Sequence, residues 1–277
     1  MAEQPVLIGI ADLPRQEQAA CLIAIRTLEV AAAEAWDVGA RQGVVDVMLT
    51  LKDGRRAAFE VTNLAADGAL ETASLLARDH HRWPLPGEWF WSIEVGSPQD
   101  LRRLKQCYQK IILICESAAT AYPSQHPLAW TPDADPDLQW LIEDSSCSMV
   151  GHPEQLASAM QKLGAMVTPA ARAGFIDDSL SGFAQELGTA FERPHIPGHF
   201  QKLARADADE HHLFIPLHGS ALPFRISSVL MFDDAIPREP PPVPAHISHL
   251  WLAPEFSRRV LLWSQPDGWR NVFPYDN

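Results

Sequence analysis

Two apolar strands joined by a tight polar turn, VVDVMLTL-KDG-RRAAFEVT over residues 44–62, constrain this chain more than any other segment. Each strand carries one acid inside its apolar run, Asp46 in the first and Glu60 in the second. Two turn geometries are open. A three-residue loop, Lys52-Asp53-Gly54 with Gly54 left-handed, pairs Leu51 with Arg55 and sets Asp46 directly opposite Glu60. A two-residue Asp-Gly turn shifts the parity and sends the carboxylates to opposite faces. Under the first register Ala58, Glu60 and Thr62 share a face with Val44, Asp46 and Met48. Two carboxylates about 5 Å apart at an effective dielectric near 20 repel by roughly 3 kcal/mol. A divalent cation would remove that conflict, and carboxylate oxygens suit Mg²⁺ or Mn²⁺. A different register, access to solvent or an arginine partner would remove it without a metal.

Around the hairpin the patterns alternate. Residues 15–37 read as an amphipathic helix, with Leu22, Ile25, Ala32 and Trp36 at helical spacing and Gly39 after them. Glu29 falls on that stripe, either facing the core or paired with Arg26. A second helical stretch covers roughly 65–80, and a third strand follows near Trp89–Val95. Ser97-Pro98-Gln99-Asp100 is a helix start, and the helix it opens carries Leu101, Leu104, Tyr108, Ile111 and Cys115 on one face. A Pro- and Asp-rich segment, 123–138, reads as a linker between a first domain (1–122) and a mixed α/β region (139–277). In that region helices are expected near 154–164 and 178–192, and strands at His211–Leu217, Ile226–Phe232, Ile247–Leu252 and Val260–Trp263. The division is soft, because those strands can extend the first sheet.

Helix, strand with Asp46, strand with Glu60-Val61-Thr62, then helix, strand and helix resembles the core of the PD-(D/E)xK nuclease-like superfamily over roughly residues 15–120. The resemblance implies an α/β (α+β) fold, a mixed sheet flanked by helices. It implies Mg²⁺ or Mn²⁺ held by Asp46 and Glu60, with Glu29 as the accessory helix acid. It departs from the family at Thr62, which stands where the motif lysine belongs and cannot supply that charge, and in having no proline before Asp46. A metal-dependent phosphodiesterase acting on DNA or RNA is therefore one expectation, with Thr62 hydrogen-bonding the attacking water. A nuclease-fold binding or regulatory module without chemistry is the other. Arg102, Arg103, Lys105 and Lys110 are the candidate phosphate contacts, with a solvated helix face as the plain alternative.

The net charge of −13 argues against a broad, sequence-independent nucleic-acid binder. No apolar run is long enough to span a membrane, and Met1–Pro14 lacks the basic start of a signal peptide. The four cysteines have no CxxC spacing and read as buried thiols, which places the chain in the cytoplasm. The histidines give no metal motif: Pro197-Gly198 interrupts His195 and His199, and His246 and His249 point to opposite faces of a strand. No nucleophile elbow or phosphate-binding loop is present. Trp83, Trp89, Phe90 and Trp91 read as core before they read as a base-stacking surface. Trp251, Trp263 and Trp269 are candidate anchors for a protein partner.

Overall fold

The computed structural model describes residues 4–38, 43–153, 164–170 and 180–276. In chain order the elements are β1 (Val6–Ile8), α1 (Arg15–Thr27), β2 (Val30–Ala35), β3 (Val47–Leu51), β4 (Arg56–Val61), α2 (Ala69–Ala77), β5 (Arg82–Trp83), β6 (Phe90–Val95), α3 (Pro98–Ser117) and α4 (Pro136–Gln139). They continue with β7 (Cys147–His152), β8 (Ala165–Pro169), α5 (Phe183–Phe191), α6 (Ile196–Arg205), β9 (Glu210–Leu217), α7 (Phe224–Phe232), β10 (His249–Pro254), β11 (Val260–Ser264) and β12 (Gly268–Val272).

These elements form two units, one from residues 1–65 with 173–277 and one from 66–172. The first holds an eight-stranded mixed sheet in the order β1-β2-β3-β4-β9-β10-β11-β12. Strands β2, β3 and β4 form an antiparallel meander, and β9 joins β4 in parallel. Residues alternate between its two faces, as the strand period of two requires. Met48, Ala58, Leu213 and Ile215 pack with Leu187, Ile196, Leu203 and Val229 from α5, α6 and α7. Val47, Leu49, Phe59, Phe214 and Trp251 face the other way, with Cys21 and Ala24 of α1.

The hairpin takes the three-residue turn. The Leu51 N–H donates to Arg55 O (2.9 Å) and the Gly54 N–H donates to Leu51 O (3.0 Å). Gly54 has φ +87°, a conformation that a side chain would strain. The ladder that follows pairs Met48 with Ala58 and Val47 with Phe59. Asp46 and Glu60 are next in that register.

The second unit has a separate four-stranded sheet, in the order β5-β8-β6-β7. Helix α3 buries Leu101, Leu104, Tyr108, Ile111 and Cys115 in a core with Trp83, Trp91 and Ile93. At its start the Ser97 hydroxyl accepts the Gln99 N–H (3.4 Å).

Several expectations change. The boundary does not fall at 123–138: that segment belongs to the second unit, where Asp135 caps α4 and Leu138 and Trp140 are buried. Strands β9 to β12 complete the first sheet, so 66–172 is an insertion between β4 and α5. The strand near Trp89–Val95 is β6 of the other sheet. The helix read over 15–37 ends at Thr27, and Val30–Ala35 is a strand hydrogen-bonded on both edges. Sheet pairing there overrides the helical preference of an alanine-rich run. Ile226–Phe232 lies in a helix that starts directly after Pro223, a residue suited to a helix beginning. The helix expected near 154–164 falls almost wholly outside the described residues, as do the first two residues of the one expected at 178–192. Trp251 and Trp263 are core residues, and Trp269 packs against Phe183, so none of the three is a projecting anchor.

Candidate active site

The acids of the hairpin meet at the end of β4, where the backbone ladder stops and the carboxylates take over its donors. Asp46 Oδ2 accepts the Val61 N–H (2.7 Å), and Glu60 Oε2 accepts the Asp46 N–H (3.1 Å). Both acids are buried, Glu60 completely. One oxygen of each carboxylate is thus tied to backbone, and Asp46 Oδ1 and Glu60 Oε1 are left to face a common neighbour.

That neighbour is Lys202. Its Nζ lies 2.9 Å from Glu60 Oε1, 3.9 Å from Asp46 Oδ1 and 3.8 Å from Asp37 Oδ2. Lys202 belongs to α6, whose Ile196 and Leu203 sit in the core above β4 and β9. Beside that stripe, toward the end of β4, the same helix presents His199 and Lys202, three residues apart. The His199 Nδ1–H donates to Glu60 Oε1 (2.6 Å). Pro197-Gly198 does not break this helix, contrary to expectation. Pro197 falls in its first turn, where a missing N–H costs nothing, and His195 and His199 approach with ring centroids 6.3 Å apart.

Burial, followed by the charge of Glu60, pushes the Asp46 carboxyl up to about 7. Glu17, in the first turn of α1, is also raised, by burial and then by Glu60. Burial works against the Lys202 ammonium, but the hydrogen bond to Glu60 and the fields of Glu60, Asp46 and Asp37 outweigh it and raise its pKa. Four carboxylates and one ammonium therefore share this end of the sheet.

The residues named from sequence separate into two groups. Asp46 and Glu60 come together. Thr62 is buried two residues further on, with its N–H donating to Phe214 O (3.0 Å) in the ladder to β9. Glu29 does not reach the acids: it follows α1, and its carbonyl accepts the Lys52 N–H (2.8 Å) at the hairpin turn. It lines a groove of about 520 Å³ with Lys52, Arg55, Glu210 and His249, at the opposite end of β4. The α1 acid at the site is Glu17. The basic cluster of α3 lies in the other unit and is mostly engaged. Lys105 pairs with Asp79, Lys110 bridges Asp135 (2.8 Å) and Asp137 (3.0 Å), and Arg103 lies over the Trp140 ring, while Arg102 is exposed.

Hard oxygen donors fit Mg²⁺ or Mn²⁺, which commonly take one or two protein carboxylates and complete their shell with water and phosphate. Asp46 Oδ1 and Glu60 Oε1 are such donors, and they face the same ammonium. Among the described residues only Glu210, His212 and His249 bring three ligand atoms within 4.8 Å of one another. That group sits at the far groove and is arranged for hydrogen bonding. Trp251 donates its indole N–H to His212 Nδ1 (3.2 Å), which fixes the proton on Nε2, where it is given to Glu210 (2.8 Å). The His212 and His249 rings stack 4.0 Å apart at 23°, so their in-plane lone pairs do not converge on one ion. Burial, followed by the charge of His212, pushes His249 down to about 3.

Compared with protein-family models, curated proteins and solved structures, the chain matches none. Among the described residues no helix is long and apolar enough to cross a membrane.

Proposed function

We propose that the chain is a divalent-metal-dependent phosphodiesterase acting on DNA or RNA, with Asp46, Glu60, Glu17 and Lys202 at its centre. The observation that carries this reading is the Lys202 ammonium held against both hairpin carboxylates. It supplies, from α6, the positive charge that Thr62 cannot. The order of elements around the site adds support. With the 66–172 insertion set aside, α1, the β2-β3-β4 meander, α5, α6 and the parallel β9 follow one another in the first unit, whereas the later helix, strand and helix of the resemblance, within 65–120, lie in the other unit.

Asp46 and Glu60 would hold Mg²⁺ or Mn²⁺, which when bound lowers the pKa of a coordinated water and offsets charge on the phosphate. The protein's own groups do the positioning. His199 and the Asp46 N–H fix both oxygens of Glu60, and the Val61 N–H fixes Asp46. Lys202 places a cation at the same oxygens, where it can orient the attacking water and counter the charge developing on phosphate.

One observation favours a second reading, a nuclease-fold module without chemistry. Lys202 already neutralises part of the acid pair, so the buried carboxylates have a counter-ion within the chain itself. Cleavage assays on single- and double-stranded DNA and RNA, with Mg²⁺ and with Mn²⁺, separate the two. The catalytic reading expects cleavage that falls at least about a hundredfold in both Glu60→Gln and Lys202→Gln. A folded wild type that is inert on every substrate, or activity that survives Glu60→Gln, would sink it.

A further inference from the structure

The position of Lys202 has a second implication, which rests on the reading of Asp46 and Glu60 as cation ligands. Each of these carboxylates has given one oxygen to a backbone N–H, Asp46 Oδ2 to Val61 and Glu60 Oε2 to Asp46. The oxygens not tied to backbone, Asp46 Oδ1 and Glu60 Oε1, are the ones Lys202 Nζ faces at 3.9 and 2.9 Å, and Glu60 Oε1 also accepts the His199 N–H (2.6 Å). A cation using both would meet an ammonium already drawn to them, and like charges at such separations repel strongly in a partly buried site.

We propose that Lys202 is a built-in competitor for the divalent cation, an internal counter-ion that must withdraw before the acid pair is loaded. The lysine has somewhere to go. Its side chain is about a quarter exposed, and Asp37 Oδ2, 3.8 Å from Nζ, offers a further acidic partner outside the hairpin pair. A four-carbon stem with three rotatable donors can swing between these partners, which a rigid guanidinium would do less readily. Loading therefore moves the ammonium off Glu60, coupling occupancy of the acid pair to the position of the charge proposed to act on phosphate. A motif lysine two residues after Glu60 would project from the strand. Lys202 instead enters from a separate helix, so competition is a property of this chain's own geometry.

The test is Mn²⁺ calorimetry on the full chain. Wild type is compared with Lys202→Met, Lys202→Gln and Lys202→Met/Glu60→Gln, with folding checked by circular dichroism. Removing the ammonium is expected to tighten Mn²⁺ binding at least about tenfold, and adding Glu60→Gln to abolish the gain. Lys202→Gln keeps a hydrogen-bond donor to Glu60 should Lys202→Met fail to fold. Equal or weaker binding in the Lys202 variants, with wild-type binding dependent on Glu60, overturns the competition and leaves the cation site standing. No Mn²⁺ binding in any folded protein overturns both. In the wild type, lysine-selective ¹⁵N NMR is expected to show the Lys202 Nζ signal shifting as Mg²⁺ is added. An unmoved signal at saturating Mg²⁺ refutes the displacement.

Discussion

Replacing Asp46 by asparagine should stabilise the fold at high pH and leave it nearly unchanged at low pH. In the folded chain the Asp46 carboxyl is pushed up to about 7, first by burial and then by Glu60. From an ordinary value of about 4, that makes the ionised folded form costlier by about 4 kcal/mol. The sign follows from the direction. A raised carboxyl favours folding below about pH 4, and that contribution is lost as the pH rises through about 7. Asparagine does not titrate, and its side-chain oxygen can still accept the Val61 N–H that Asp46 Oδ2 accepts at 2.7 Å. It forgoes the attraction to Lys202 at 3.9 Å, which trims the gain. The net expectation is stabilisation by about 2–4 kcal/mol at about pH 8.5 and close to zero at about pH 4. Urea unfolding of both proteins at the two pH values, in chelator-treated buffer, measures it. A difference that does not change with pH, or an asparagine variant less stable at the higher pH, would refute the burial-and-repulsion account of this site.

Other outcomes follow from the same structure. Gly54→Ala meets no steric neighbour, but it forces a side chain onto φ +87° and should cost about 1 kcal/mol in urea unfolding. Phe59→Ala empties a fully buried position beside Phe214 and Trp251, at an expected 3–5 kcal/mol by the same measurement. Glu17→Gln should weaken Mn²⁺ binding in calorimetry severalfold, because Glu17 shares the field of Glu60, whereas Glu29→Gln at the far groove should leave it unchanged.

Local chemistry made part of this molecule legible from sequence. Gly54 and the Lys52-Asp53 pair before it define a turn, and the turn fixes the register that brings Asp46 to Glu60. The serine-proline start of α3 and its apolar stripe were equally readable, because capping and periodicity are properties of neighbours in the chain. What was not readable depends on distant partners. Lys202 reaches Glu60 from a helix on the far side of an insertion, and nothing in its surroundings, His199-Phe200-Gln201-Lys202, marks it as a site residue. The strand Val30–Ala35 reads as helix until β1 and β3 are known to flank it, and that misreading put Glu29 in the place of Glu17. The Ile226–Phe232 run is apolar enough for either element, and Pro223 decided in favour of a helix.

The most direct test of the account is the position of Mn²⁺ in crystals of the chain soaked with that ion, located by its anomalous scattering. The account predicts a peak bonded to Asp46 Oδ1 and Glu60 Oε1, with Lys202 Nζ withdrawn from Glu60 toward Asp37. A peak at Glu210 and His249 instead, or none at the hairpin acids while Lys202 keeps its contact with Glu60, would contradict it.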